Sequence, residues 1–577
     1  MFQRKKYAVL KLASAVTLIG GLTAVVGGTS LYFRGLHAAK TPTHKLKSMD
    51  EYWDATGLES GVVEALLTPQ TCEASSRQFL ACANAITSIA QKYRFSIIVQ
   101  PSQAPAEASA LTAVRDSADA VSGDRSRAGR PLLSGEIVEG LAPDRREVYA
   151  ERDLLAPWQQ LLTKSMAIPR FPFLQIWRKL FREAVPEAQK ASAVGLAMNS
   201  FLSVSQDPHT YVLPADYYGE VVSKSTHPSL SIGLVLGKNE RTYFVKKLLE
   251  DSSADLAGLK KGDSLVELNG KKTRLMSPFE ISDELKGDVG STLKMKVARG
   301  KDILELTVVR SERSLRTVSS RVLEGIKPFG VLTINKFASG TCGDVRAALD
   351  SLKLQGITGL LIDLRDNPGG QMSEAACVTS LFLGPGKKVF DIKMLGETTA
   401  DESVYTSEDK VYGGPIAVLV NSGSASAAEI LAGALQDQDR AVLVGERTFG
   451  KGSFQEGEPW PGNDKLVLFR TKGFYFLPSG FTPQLVGLEP DVKLDFKDKF
   501  ALRESELYGF PLSPTGVDIA AELANSDRGG AGVNPLLSSN IVSCVSFESA
   551  LIAPDDPEIQ EAHRILNCRG IAARGER

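Results

Sequence analysis

From about residue 328 onward, short apolar runs alternate with longer amphipathic ones, and this alternation limits the fold more than any other feature of the chain. Val331–Ile334, Leu360–Leu364, Ile416–Val420 and Ala441–Val444 read as strands. Gly343–Leu354, Ser373–Leu383 and a stretch from about Ala427 to Gln436 read as helices. Leu360–Leu364 and Ile416–Val420 lack the polar alternation of a half-exposed strand, the pattern of strands covered on both faces. Strands separated by helices pair with the helices laid on the sheet, so an α/β domain is predicted over 316–496.

The remainder divides by pattern. The 577 residues exceed what one core organises, since a domain takes ~150 residues. Residues 41–215 read as mainly helical, with Phe173, Ile176, Trp177, Leu180 and Phe181 on one helical face. A segment near 101–145, rich in Pro, Ala, Ser, Gly and Asp, reads as a flexible linker or exposed loop. Residues 228–312 switch to short alternating strands, with a turn at Asn269-Gly270. The extension 497–577 shows no pattern that assigns it a class.

The chain begins with Arg4, Lys5 and Lys6 ahead of an uncharged stretch from Leu12 to Phe33, so residues 1–40 read as a signal peptide or an uncleaved membrane anchor. Both readings place the rest of the chain outside the cytoplasm. Six cysteines accord with export. Local pairing would join Cys72 with Cys82 and Cys544 with Cys568, leaving Cys342 with Cys377; inert buried thiols are the alternative. The net charge of −1 gives no sign of the strongly basic domain that a nucleic-acid binder calls for, so no nucleic-acid partner is expected.

Chemistry is concentrated at two turns. In Asn421-Ser422-Gly423-Ser424-Ala425-Ser426-Ala427-Ala428-Glu429 a serine opens a helix. Backbone N–H groups there favour negative charge, which suits an oxyanion, although a lone serine in this position is ordinarily only a cap. A hydroxyl nucleophile needs a base. Beyond the leader the histidines are His44, His209, His227 and His563, none inside the α/β region. A lysine serves if burial keeps its amine neutral. Lys451, between Gly450 and Gly452 just after a predicted strand, is the candidate, with Gln455 placed to orient it. Taken alone, Lys451 would read as an exposed turn lysine.

Together these segments resemble the carboxyl-terminal processing peptidases, the tail-specific proteases that use a Ser–Lys dyad. The blocks that carry the resemblance are Leu361-Ile362-Asp363-Leu364-Arg365-Asp366-Asn367-Pro368-Gly369-Gly370, Ser424-Ala425-Ser426-Ala427-Ala428-Glu429-Ile430 and Val444-Gly445-Glu446-Arg447-Thr448-Phe449-Gly450-Lys451-Gly452. Gly473-Phe474-Tyr475-Phe476-Leu477-Pro478-Ser479-Gly480 and Gly487-Leu488-Glu489-Pro490-Asp491-Val492 extend it, so that it covers roughly residues 190–495. The resemblance implies a crotonase/ClpP-like α/β core, Ser426 rather than Ser424 as nucleophile, Lys451 as base and Gln455 as its assistant. It implies an oxyanion hole of Ala427 N–H and the N–H of either Gly369 or Gly370. Ala428 departs from the serine that many relatives carry.

Residues 228–310 resemble a PDZ domain, with Ser252-Ser253-Ala254-Asp255-Leu256-Ala257-Gly258-Leu259-Lys260-Lys261-Gly262-Asp263 as the main block. Its carboxylate-binding loop would be Leu230, Ser231, Ile232 and Gly233, with Ser231 where relatives often have glycine. Asp207-Pro208-His209-Thr210-Tyr211 matches a block that precedes the PDZ domain in relatives, and His209 reads as structural. Asp363 and Arg365 read as an internal ion pair that shapes their loop.

The resemblance thus implies a serine endopeptidase of the periplasm, free or membrane-anchored, acting on proteins or peptides with accessible C-termini. It requires no metal and no organic cofactor, and the sequence names no adaptor or self-association partner. One rival is an inactive peptide-binding scaffold that keeps a protease fold. Another is an acyl-CoA enzyme of the related crotonase architecture.

Overall fold

The computed structural model describes residues 49–93, 95–101, 133–139, 151–164, 168–219, 232–238, 242–249, 252–275, 281, 284–285, 287, 290–311, 317–324, 327–395, 402–494, 503–514 and 556–575. The expected leader, residues 1–40, lies outside them. No helix among the described residues is long and apolar enough to cross a membrane.

The central element is a six-stranded sheet in the order Val318–Leu323, Phe329–Ile334, Gly359–Asp363, Ile416–Val420, Val442–Gly445 and Val492–Lys493. The first pair is antiparallel and the rest are parallel. Alternate side chains of a strand point to opposite faces, and the two faces are filled differently. Leu332, Ile334, Leu360, Ile362, Val418 and Val420 pack under the helices Thr341–Leu354, Met372–Leu383 and Ala427–Asp437. Phe329, Val331, Leu361, Ala417, Leu419 and Val444 face the other way, against Ile559, Ala562, Ile565 and Leu566 of the helix Pro557–Gly575. Part of the unclassified extension is therefore the cover of the sheet's second face. Cys342 and Cys377 form a disulfide joining the first two core helices.

A second sheet, in the order Glu402–Tyr405, Lys388–Met394, Asn463–Phe476 and Ser453–Trp460, packs beside this core, and Tyr211–Pro214 adds to its long strand. The N-terminal helices pack around Ser76–Lys92 and Lys190–Ser205, with Phe79, Trp158, Phe173 and Trp177 in their core. Cys72–Cys82 is the disulfide of this region; Cys544 lies outside the described residues. The segment near 101–145 holds more regular structure than a linker, because Leu133–Glu139 pairs antiparallel with Phe95–Pro101. The run Phe95-Ser96-Ile97-Ile98-Val99 carries the β-branched residues that favour this pairing, and its short length hid it among helical neighbours. Residues 102–132 and 140–150 lie outside the described set.

The alternating segment after residue 230 forms a sheet in the order Leu234–Lys238, Tyr243–Leu248, Ser264–Leu268, Thr292–Arg299 and Asp302–Val309. Leu293, Met295 and Val297 share its buried face.

Candidate active site

Three adjacent parallel strands deliver the three expected segments to one edge of the core sheet. Gly359–Asp363 runs into the Gly-Gly loop, Ile416–Val420 into the serine turn, and Val442–Gly445 into the lysine loop. Backbone bonds knit the loops together. Ala425 N donates to Asn367 O at 2.9 Å, and Phe449 N to Ser424 O at 2.9 Å.

The two candidate serines are distinct in the structure. Ser424 is buried, accepts from Asn421 N at 3.0 Å and donates to Leu364 O at 2.8 Å. Ser426 is part-exposed at the N-terminus of the helix Ala427–Asp437, with φ +57° and ψ −117°. For a residue with a Cβ that conformation costs on the order of 1–3 kcal/mol and persists only where neighbours hold it. The holders are Glu429, whose Oε2 accepts Ser426 N at 2.8 Å, and Tyr475, whose hydroxyl donates to Ser426 O at 3.2 Å.

The same two side chains hold Lys451. Glu429 Oε2 accepts Lys451 N at 2.9 Å, Oε1 accepts Gly450 N at 2.8 Å, and the Thr448 hydroxyl donates to Oε1. Tyr475 also donates to Lys451 O at 3.0 Å. Glu429 is fully buried, and burial pushes its carboxyl up to about 7 despite these donors. Burial pushes the Lys451 amine down to about 8, against the opposing pull of Glu504, Glu429 and Asp207. The amine donates to Gln455 Oε1 at 2.8 Å and Ser453 O at 2.9 Å. Among the described residues, no hydrogen bond joins it to Ser426 Oγ. Gln455 Nε2 donates in turn to Thr471 Oγ1 at 3.1 Å, and Thr471 Oγ1 to Asp207 Oδ1 at 2.9 Å. Asp207 also accepts His209 N and the Thr210 hydroxyl. The block expected to be structural therefore braces the lysine's partner from behind.

The glycines left open by the sequence differ in what their N–H groups do. Gly369 N donates to Asn367 Oδ1 at 2.8 Å. Gly370 N has no acceptor among the described residues, and neither has Ala427 N. Gly369 has φ +93°, and a Cβ there would sit 2.6 Å from Ala425 O and 2.8 Å from both Ala427 N and Ser426 Cβ. Only glycine leaves the space beside Ser426 open.

The loop is fixed from three sides. Arg365 pairs with buried Asp363 at 2.6 Å, as expected, and also with Asp556 and Glu558 beside the last helix, each at 2.9 Å. Lys246 Nζ bonds Asp366 Oδ1 at 2.7 Å, and Lys247 Nζ bonds Arg365 O at 2.9 Å, both from the strand Tyr243–Leu248. Of the expected carboxylate-binding loop, Leu230 and Ser231 lie outside the described residues. Ile232 O accepts Ala254 N and Gly233 O accepts Leu249 N, within their own domain.

Three residues around the site carried no role in the sequence reading. Glu429 stands three residues after Ser426, the spacing of a capping box, which is a readable signal. Tyr475 falls within the block Gly473–Gly480, where nothing marks its role, and Glu504 lies far from both turns in sequence and had no signal.

Comparison with known proteins identifies the family and its domains. Residues 328–494 match the model of peptidase family S41, and residues 221–298 that of the PDZ domain. The chain is 32% identical over 383 residues to carboxyl-terminal-processing peptidase 3, chloroplastic, of Arabidopsis thaliana, covering 63% of this chain and 73% of that protein. It belongs to the carboxyl-terminal processing peptidases. A carboxy-terminal-processing protease of Bartonella bacilliformis is likewise 32% identical over 350 residues, covering 56% of this chain and 76% of the relative. Among solved structures, a photosystem II D1 C-terminal processing protease aligns with 26% identity and a TM-score of 0.40, over 56% of this chain and 87% of that one. Protease activity and a PDZ domain go with the family.

Proposed function

We propose that the chain is an exported serine endopeptidase that cleaves proteins near their C-termini with Ser426 as nucleophile and Lys451 as general base. The observation that carries this reading is the shared anchoring of the two residues. One buried carboxylate, Glu429, accepts the backbone N–H of both, and one phenol, Tyr475, caps the carbonyl of both. An amine pushed down to about 8 is partly neutral near physiological pH, as a general base must be.

In the reaction, the neutral Lys451 amine keeps its N–H bonds to Gln455 Oε1 and Ser453 O, turns its lone pair to Ser426 Oγ and takes the hydroxyl proton. The oxygen attacks the peptide carbonyl. Ala427 N–H and Gly370 N–H receive the oxyanion, since the Gly369 N–H is already engaged by Asn367. The lysinium returns its proton to the leaving amine, and water, deprotonated by the same amine, releases the acyl group. Removing one oxyanion donor would cost roughly 3–4 kcal/mol of barrier.

The PDZ domain would hold a substrate's C-terminal carboxylate in its Leu230–Gly233 loop. Lys246 and Lys247 give that domain direct contacts to the loop bearing Gly369 and Gly370. The basic, apolar N-terminus supports a location facing the periplasm.

The test is cleavage of an unstructured protein by wild type, Ser426→Ala and Lys451→Ala. Both variants should lose turnover by more than a hundredfold while remaining folded; Ser426→Ala cleaving at the wild-type rate would exclude the assignment.

A further inference from the structure

The segment Arg503–Ser513 crosses the back of the lysine loop. Glu504 N donates to Phe449 O at 3.1 Å, two residues before Lys451. Gln484 fastens the two segments together: its Oε1 accepts Gly452 N and Ser453 N, and its Nε2 donates to Leu512 O at 2.9 Å. Glu504 is thereby placed in the interior with 0% exposure. Its Oε1 lies 2.7 Å from His209 Nε2 and 3.4 Å from Gln484 Nε2. Its Oε2 is buried and has no hydrogen-bond partner among the described residues. A buried carboxylate oxygen left without a partner is costly, so such a group is retained where a nearby charge compensates it. The hydrogen-bonded ionisable partner of Glu504 is His209, and among the described residues no ion pair joins it to Lys451; acting at longer range, Glu504 exerts the largest pull of the acidic groups around the Lys451 amine, ahead of Glu429 and Asp207.

We infer that Glu504 is a further positioning residue of the protease, a carboxylate brought in by the C-terminal extension to stabilise the lysinium that forms when Lys451 takes the proton of Ser426. The inference rests on the Ser426–Lys451 reading above. Lys451 is uncharged before that transfer and charged after it, so a fixed negative charge favours the state that follows the transfer. The same charge keeps a buried amine basic enough to act, because burial alone would depress it further. The acidic groups that act on the amine are Glu429 from the helix Ala427–Asp437, Asp207 from the turn after Ser205, and Glu504 from the extension, while its hydrogen-bond acceptors are Gln455 and Ser453. His209 faces Glu504 in turn, and Tyr475 holds the lysine's carbonyl.

The experiment is the pH profile of kcat and kcat/KM for wild type and Glu504→Gln, with Ser426→Ala alongside. Removal of the charge should move the acidic limb toward acid by about one pH unit, lower kcat by roughly tenfold and leave KM within about twofold. Glu504→Asp is the second variant, keeping the charge but withdrawing it by one methylene; its limb should move by less. An acidic limb at the wild-type position in whichever variant folds overturns the inference, whatever its amplitude. Turnover that survives in Ser426→Ala would instead overturn the underlying assignment, so the two failures are distinguishable.

Discussion

Glu429→Gln is the sharpest perturbation of the site, because the two side chains have the same shape and differ only in what they accept. The carboxylate receives Ser426 N and Lys451 N on Oε2, and Gly450 N and the Thr448 hydroxyl on Oε1. An amide keeps one accepting oxygen and presents an NH2 group to the other two donors. If its oxygen faces Thr448 and Gly450, the N–H groups of Ser426 and Lys451 are both orphaned. Two unsatisfied buried donors cost about 2–6 kcal/mol together, a large share of the 5–15 kcal/mol that holds a typical domain folded. The strained φ of +57° at Ser426 then loses its main support. Denaturant unfolding of wild type and variant should show a loss of at least about 2 kcal/mol. The rate of phosphonylation of Ser426 by a fluorophosphonate should fall by about a hundredfold or more, the scale of a lost catalytic group. The pH dependence changes as well. Wild-type activity needs Glu429 ionised, its carboxyl lying at about 7, and Lys451 neutral, its amine lying at about 8. Both conditions fail as pH falls, so the acidic limb of wild type should approach a slope of two protons, and that of Glu429→Gln a slope of one. Wild-type stability, labelling rate and limb slope in the variant would refute the reasoning.

Gly369→Ala should fold with a cost of about 1–3 kcal/mol from its positive φ and lose most activity, since the new methyl fills the space beside Ala427 N; near-normal kcat would contradict this. Ser424→Ala should keep a nucleophile that labels, at a stability cost of about 1 kcal/mol for its bond to Leu364 O, whereas Ser426→Ala should not label at all. Deleting residues 557–577 removes Ile559, Ile565 and Leu566 and uncovers the sheet face beneath them, a loss of roughly 5–9 kcal/mol at about 1.5–3 kcal/mol per side chain. The truncated chain should be insoluble or proteolysed, and a soluble, active one would disprove that role for the helix.

The sequence was legible where one local pattern had one structural meaning. Leu360–Leu364 and Ile416–Val420 could only be strands buried on both sides, and the turns after them could only open toward the same edge. Gln455 lies two strand positions from Ser453, on the face of its strand that meets Lys451, and the family blocks pointed to it. The C-terminal helix was harder. Ile559, Ala562, Ile565 and Leu566 have helical spacing, but spacing does not say which surface a helix covers, and that surface was built more than a hundred residues earlier. Glu504 sits in a helix of four residues, too short for any periodicity to announce it. Its hydrogen-bond partner, His209, lies on the far side of the PDZ insertion. The proposal of Gly370 over Gly369 as oxyanion donor rests on one side-chain bond, from Gly369 N to Asn367, that no sequence pattern encodes. Long-range contacts of buried polar groups were what sequence reasoning missed.

The central claim is that Ser426 is activated by Lys451. The most direct measurement is the pH dependence of fluorophosphonate labelling in the folded enzyme, with the modified peptide mapped by mass spectrometry. The account predicts a single label on Ser426, a rate rising as pH passes through about 8, and loss of that rise in Lys451→Ala. Label on another residue, or a Lys451→Ala variant that labels at the wild-type rate with the wild-type profile, would contradict it.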